Sequence, residues 1–162
     1  LRRGEERLKL AQLAADAGYW DWDIEANKIF WSTEYYSLCG INPGLTPSYE
    51  NWLASVWEVD QKRTDQEVGA TIASNQDELR IEYRINHPIW GIRWLLVKGQ
   101  ARFNATGTIT GVIGFTFDIT ERKQAEIALQ QNQERLDLAM QAAKMGSWDW
   151  DIQTNKVNWS TI

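Results

Sequence analysis

The chain has 162 residues, 43% of them apolar and 24% charged, with a formal net charge of −5, a composition that suits one globular domain with length to spare. One cysteine, Cys39, and one histidine, His87, exclude an internal disulfide and a zinc site of the usual Cys/His kind, which needs about four ligands. No Lys/Arg cluster offsets the acidic balance and no apolar run exceeds the four residues Trp94–Val97, which argues against nucleic-acid or membrane contact by this segment. The expected setting is the cytoplasm, with a membrane-anchored parent left open. From Glu5 to Ala17, residues Leu10, Leu13, Ala14 and Ala17 share one helical face and Gly18 is a stop signal, so an amphipathic helix is expected within residues 1–17. Trp20, Trp22 and Ile24 then alternate with Asp21 and Asp23, the period of a strand with one buried face. Glu25–Lys28 reads as a turn and Ile29–Trp31 as the return strand.

Ser32 or Thr33 is placed to cap a helix carrying Tyr35, Tyr36, Leu38 and Cys39 and closed by Gly40, because a side-chain oxygen there satisfies a free N–H of the first turn. Pro43, Gly44 and Pro47 mark a loop. A short helix is expected around Tyr49–Ser55, and a longer one over Asp60–Ser74 with Val68, Ile72 and Ala73 inward. Leu79, Ile81, Tyr83 and Ile85 alternate with Arg80, Glu82 and Arg84 as a strand with one wet face. A turn over Asn86–Gly91 leads to a second long strand, Ile92–Phe103, and Thr106-Gly107 turns into a third, Ile109–Ile119. Short connections make these an antiparallel meander. Two early strands and three late ones, with helices between, predict an α+β domain over residues 18–120 whose helices cover one face of the sheet.

Thr120 is a good N-cap, Glu121 complements the helix dipole, and no Gly or Pro follows before Lys144, so a linker helix is expected over residues 121–145. Ala125, Leu129, Asn132, Leu136, Ala139 and Ala143 step by four and three, a heptad seam with a polar residue inside it. Two readings stand: a solvated linker, since the seam is short and Ala-rich, or a homodimer contact through the flanking helices. Residues Glu6–Thr33 recur at Glu134–Thr161 with an offset of 128 and 18 identities in 28 positions, Trp20, Trp22 and Trp31 matching Trp148, Trp150 and Trp159. This domain-sized period predicts one complete unit and, over residues 146–162, the truncated start of a second. The second copy is expected to be helical to about Lys144 and, beyond Gly146, loosely ordered or swapped onto a neighbour. The duplication accounts for three of the ten tryptophans.

The opening AADAGYWDWDIEANKIFWSTEYYSLCGINP and the later EYRINHPIWGIRWLLVKGQARFNATGTITGVIGFTFDITERKQAE resemble the Per-Arnt-Sim (PAS) sensor family, in its PAS-3-like subtype with a C-terminal PAC segment. The resemblance implies a five-stranded antiparallel sheet of order 2-1-5-4-3 with helices on one face, flanked by N- and C-terminal helices. It also implies a signal exit at Asp118-Ile119-Thr120. Where many relatives carry His-Pro-x-Asp before the long helix, this chain has Trp57-Glu58-Val59-Asp60.

No catalytic residue and no metal site is expected. Cys39 and His87 are the only Cys/His pair available for nucleophilic chemistry, and the first helix and a hairpin turn are expected to keep them apart. His87, in Asn-His-Pro, is expected at the surface. Gly107, Gly111 and Gly114 lie where strand glycines relieve crowding rather than cradle phosphate, and Asp21 and Asp23 are expected as solvated carboxylates on an outer face. The Asn-Cys-Arg-Phe-Leu-Gln word of the family's flavin photosensors is absent around Cys39, and Asp60–Ser74 contains no His for haem; no cofactor is expected. The resemblance leaves a hydrophobic pocket between sheet and helices, with Tyr36, Cys39, Trp52, Val68, Ile72, Tyr83 and Trp94 as candidate lining. Either these side chains fill the core or they admit an unidentified small ligand.

The resemblance thus implies a regulatory input module of a signalling protein, relaying through the linker helix to adjacent PAS or output domains. The output it suggests first is a histidine kinase of a two-component system. A cyclic-dinucleotide synthase or hydrolase, and a dimerisation or spacer module without ligand, are the alternatives. The segment itself is not expected to be an enzyme.

Overall fold

The hairpin at the start of the domain has the expected register. In β1 (Gly18–Asp23) and β2 (Lys28–Trp31), Trp20 stands opposite Trp31 and Trp22 opposite Ile29. Asn27 closes the turn in the left-handed region, φ 54°, and the Asp23 carboxylate accepts the Ala26 N–H at 3.0 Å. The structure is a computed structural model that describes the backbone of residues 16–145, 148–151 and 156–159 and the side chains of residues 16–144. The lead-in helix expected within residues 1–17 therefore lies, apart from its last two residues, outside the described residues.

Ser32 caps α1 (Thr33–Cys39), its hydroxyl accepting the N–H of Tyr35 at 3.3 Å and that of Tyr19 at 2.9 Å, so one side chain fastens the helix to β1. α1 ends at Gly40 with φ 66°, and a Cβ there would strike the His87 ring and Pro88. Ser48 caps α2 (Tyr49–Ser55) by accepting the Asn51 N–H at 3.0 Å. α3 (Glu58–Ala73) buries Asp60, Thr64 and Val68. Ile72 is half-buried against the core, but Ala73 is exposed and does not face inward as expected. The inward row Asp60, Thr64, Val68 and Ile72 steps by four, and Ala73 falls one residue outside it.

β3 (Glu78–His87), β4 (Gly91–Phe103) and β5 (Ile109–Asp118) form the antiparallel meander, and the sheet order is β2-β1-β5-β4-β3. This is the order that the resemblance implies. The inner face carries Trp20, Trp31, Leu79, Ile81, Tyr83, Ile85, Leu95, Val97 and Val112, packed with Tyr35, Cys39, Trp52, Val56 and Val68 from the helical side. At full burial each large side chain of such a core contributes about 1.5–3 kcal/mol. His87 overturns the surface expectation: it is 4% exposed. It continues the inward alternation Leu79–Ile85 by one more step, and its ring stacks on Trp90 at 4.2 Å. Its Nδ1 accepts the N–H groups of Ile89 and Trp90, which leaves Nε2–H to donate to the Ser37 carbonyl at 3.1 Å.

The chain divides into two compact units, residues 1–120 and 121–162. α4 (Thr120–Met145) opens the second unit and shows Leu129 and Leu136 of the heptad seam exposed, together with Leu138 and Met140. Beyond it, β6 (Trp148–Asp151) and β7 (Lys156–Trp159) pair in a two-stranded sheet with Trp148 opposite Trp159 and Trp150 opposite Val157. Residues 148–151 and 156–159 are paired strands, not loose chain, because the local sequence that sets the β1–β2 register is repeated almost intact. Among the described residues no helix is long and apolar enough to cross a membrane.

Candidate functional site

Between the inner face of the sheet and the helices lies a cavity of about 50 Å³ lined by Trp20, Trp22, Ile29, Trp31, Tyr35, Tyr49, Trp52, Val68, Leu79, Val97 and Thr116. That is roughly a third of the ~150 Å³ apolar cavity that accepts benzene. Of the candidate lining residues, Trp52 and Val68 are here. Cys39 and Tyr83 stand one layer behind. The Trp52 indole donates to the Tyr83 hydroxyl at 3.0 Å, and the Tyr35 hydroxyl lies within hydrogen-bonding reach of both Tyr83 and the Cys39 thiol. Ile72 packs at the margin of the core, and Tyr36 turns away to donate to the Leu45 carbonyl at 3.1 Å. Trp94 is on the wrong face: Leu95 and Val97 point inward, so period two sends Trp94 outward. What the sequence reading missed is the contribution of β1, β2 and β5, although the alternation Trp20, Trp22 already placed two indoles on the inner face.

Burial dominates the electrostatics here. It pushes the Cys39 thiol up to about 12, partly offset by the Tyr35 hydroxyl, and raises the hydroxyls of Tyr35 and Tyr83 well above the usual phenol range. A protonated, enclosed thiol is a poor nucleophile. The fold does bring His87 to the end of α1, against the expectation that it stands apart from Cys39. Its Nε2, however, is taken by the Ser37 carbonyl and the thiol by Tyr35, so no nucleophile–base pair forms. The acid pair of β1 is split as well. Asp21 bonds Arg102 at 2.9 Å across Gly111, whose missing side chain gives the guanidinium its path, while Asp23 holds its turn. Among the described residues no group of three or more His, Cys, Asp or Glu side chains could hold a metal ion.

A second constellation sits on the opposite face, at the edge strand β3. The Asp60 carboxylate accepts the Arg84 main-chain N–H at 2.9 Å and its guanidinium at 3.0 and 2.6 Å, and the Trp57 N–H donates to the Arg84 carbonyl at 2.8 Å. These bonds cap part of the edge strand's free backbone. The Arg84 hydrogen bond holds the Asp60 carboxyl below the usual carboxylate range, outweighing desolvation. The guanidinium also lies over the rings of Trp57 and Trp94, 4.4 and 5.0 Å from their centroids. The Trp94 backbone in turn holds the candidate exit residues. Its N–H donates to the Thr120 hydroxyl at 2.9 Å and its carbonyl accepts from Ile119 at 2.9 Å. Thr120 donates to Asp118 at 2.6 Å, and Asp118 pairs with Arg93 at 2.8 Å. Arg84 and Trp94 thus stand on the outer face, whereas Asp118, opposite Leu95 and two residues beyond Thr116, keeps the inner parity of the cavity wall.

The family profile described as the PAS fold matches residues 28–116, more than half of the chain. The chain belongs to the PAS fold family. It is 28% identical over 83% of its length to a probable diguanylate cyclase, DgcE, of Escherichia coli K12, and 26% identical over 77% of its length to a blue-light-activated histidine kinase of Brucella anthropi. It spans only 12% and 25% of those two proteins. Among solved structures, a sensory box histidine kinase/response regulator from Burkholderia thailandensis E264 superimposes with a TM-score of 0.63 at 28% identity, covering 81% of this chain and 98% of that one. PAS domains of this kind thus occur in both histidine kinases and diguanylate cyclases.

Proposed function

We propose that the chain is the input module of a signalling protein, in which a change at the cavity biases the start of α4 through Asp118, Ile119 and Thr120. The observation that carries this reading is the unbroken set of contacts from Asp60 on α3 to Arg84, from Arg84 to Trp94, and from the Trp94 backbone to Ile119 and Thr120. α3 also supplies Val68 to the cavity wall, so a shift of that helix reaches both the ligand side and the exit side. The downstream output in this reading is a histidine kinase of a two-component system, with a cyclic-dinucleotide enzyme as the second reading that the E. coli relative favours. The near-duplicate hairpin and the exposed leucines of α4 support a tandem arrangement of PAS units, with a PAC segment leading into a helix that self-associates. The contacts of this segment are then with a second copy and with neighbouring domains of its own protein, in the cytoplasm.

The test is Thr120→Val and Arg84→Met in the full-length protein, with kinase or cyclase output measured with and without stimulus. Loss of the stimulus response at retained basal output is expected. Unchanged output and response in both variants would favour a spacer.

A further inference from the structure

Among the described residues, three buried side-chain polar atoms have no hydrogen-bond partner: Trp20 Nε1, Trp22 Nε1 and Thr116 Oγ1. All three residues line the cavity. Trp20 is 7% exposed and Thr116 fully enclosed. A buried polar group left without a partner is costly, and folded proteins carry few of them. Three at one cavity are therefore a feature of the cavity, not scattered imperfection. They also lie close on the sheet, since Trp20 pairs with Gly114, Trp22 with Val112, and Thr116 follows on β5.

The neighbouring wall groups are already committed. Tyr49 donates to Asp65 at 2.5 Å, Trp52 to Tyr83 at 3.0 Å, and Tyr35 is shared between Cys39 and Tyr83. An indole N–H can only donate, and a threonine hydroxyl can donate or accept, so the missing complement is an acceptor atom. No lining residue is charged, so a carboxylate or phosphate would enter without a counter-charge at heavy desolvation cost. A carbonyl oxygen or a ring nitrogen carries no such penalty. The walls are the flat rings of Trp31, Tyr35, Tyr49 and Trp52, which favour a planar guest. The volume admits only a few heavy atoms. Trp22 and Tyr49, stacked at 5.3 Å and half-buried, stand at the mouth to cover what remains outside.

We propose that the cavity binds the carbonyl or ring-nitrogen end of a neutral planar small molecule, with Trp20, Trp22 and Thr116 as the donors that recognise it. This rests on the input-module reading and names the class of ligand it senses.

The probes are acetophenone, its shape-matched hydrocarbon α-methylstyrene, and benzoate, each titrated into the full chain by calorimetry and thermal shift. Acetophenone is expected to bind at least tenfold tighter than α-methylstyrene, and benzoate no better than the hydrocarbon. Thr116→Val and Trp22→Phe should bring acetophenone down to the hydrocarbon's affinity while leaving the hydrocarbon unchanged; if Trp22→Phe fails to fold, the isosteric Thr116→Val decides alone. Equal affinities for acetophenone and α-methylstyrene, tighter binding of benzoate, or no binding of any probe each overturns the proposal. Binding with no change in the output of the full-length protein leaves the site standing and removes the input-module reading instead.

Discussion

The domain uses tryptophan in two opposite ways. On the inner face, Trp20 and Trp22 border a cavity with their N–H groups unpaired. At the β3 edge, Trp57 and Trp94 offer their ring faces to Arg84, whose guanidinium and main-chain N–H are both tied to Asp60. The first region retains unspent hydrogen-bonding capacity, and the second has spent it. A region with unmet donors gains from any guest that supplies an acceptor. A region with every bond made resists deformation and passes a displacement on. A sensor needs both properties, and here they belong to different strands, the first to β1 and β5 and the second to the edge strand β3.

The largest effect should come from breaking the spent region. Arg84→Met leaves the Asp60 carboxylate buried with its main partner gone and is expected to cost about 3–5 kcal/mol in urea unfolding. Because the folded Asp60 pKa is lowered by Arg84, its stabilisation is present above the unfolded value of about 3.9 and is lost as pH falls through the lower folded value. The acid limb of the stability curve should therefore be shallower in Arg84→Met. Tyr83→Phe comes next. It removes the acceptor of the Trp52 indole and should cost about 1–3 kcal/mol, with Tm as the readout. The raised pKa values of Cys39, Tyr35 and Tyr83 act in the other direction. Their stabilisation is complete below the unfolded values, the lowest of which is the thiol's 9.0, and is lost as pH rises above it. Tm is expected to fall progressively above about pH 9, and Cys39→Ser should soften the onset. The smallest loss belongs to the unspent region: Thr116→Val in the ligand-free protein should not destabilise and is expected to gain up to about 1–3 kcal/mol, because a buried hydroxyl without a partner is removed and no bond is lost with it. Should Thr116→Val cost as much as Arg84→Met, the contrast between the two regions fails.

Much of the fold was legible because it is written in short-range patterns. Alternation from Leu79 to Ile85 placed β3 and its inner face, and Ser32 and Gly40 bracketed α1 as cap and stop. The same alternation, carried one step further, would have put His87 inside; the Asn-His-Pro word, read as a turn, hid it. Trp94 was misassigned because Trp94–Val97 is apolar on both faces and a continuous run gives period two no phase. The Asp60–Arg84 pair was out of reach for another reason: it joins elements 24 residues apart, and no local rule links them. Nor can sequence show that an indole N–H lacks an acceptor, since that depends on every neighbour at once.

The repeated hairpin sets a problem for folding. β5 pairs with β1 through Trp20 and Gly114, yet β6 carries the same Trp-Asp-Trp-Asp and, with β7, the same register. Measured along the chain, Trp148 lies about a third as far from Gly114 as Trp20 does, so closing the wrong loop is entropically cheaper by roughly 1 kcal/mol. Order of synthesis works against that bias. β5 ends at Asp118 and β6 begins at Trp148, so β5 emerges from the ribosome first, and at about 5–20 residues per second the correct pair has a head start of seconds. Refolding from denaturant removes the head start, and the competition between the two hairpins for one strand edge should then appear as a slow or misassembled fraction that the newly made protein never shows.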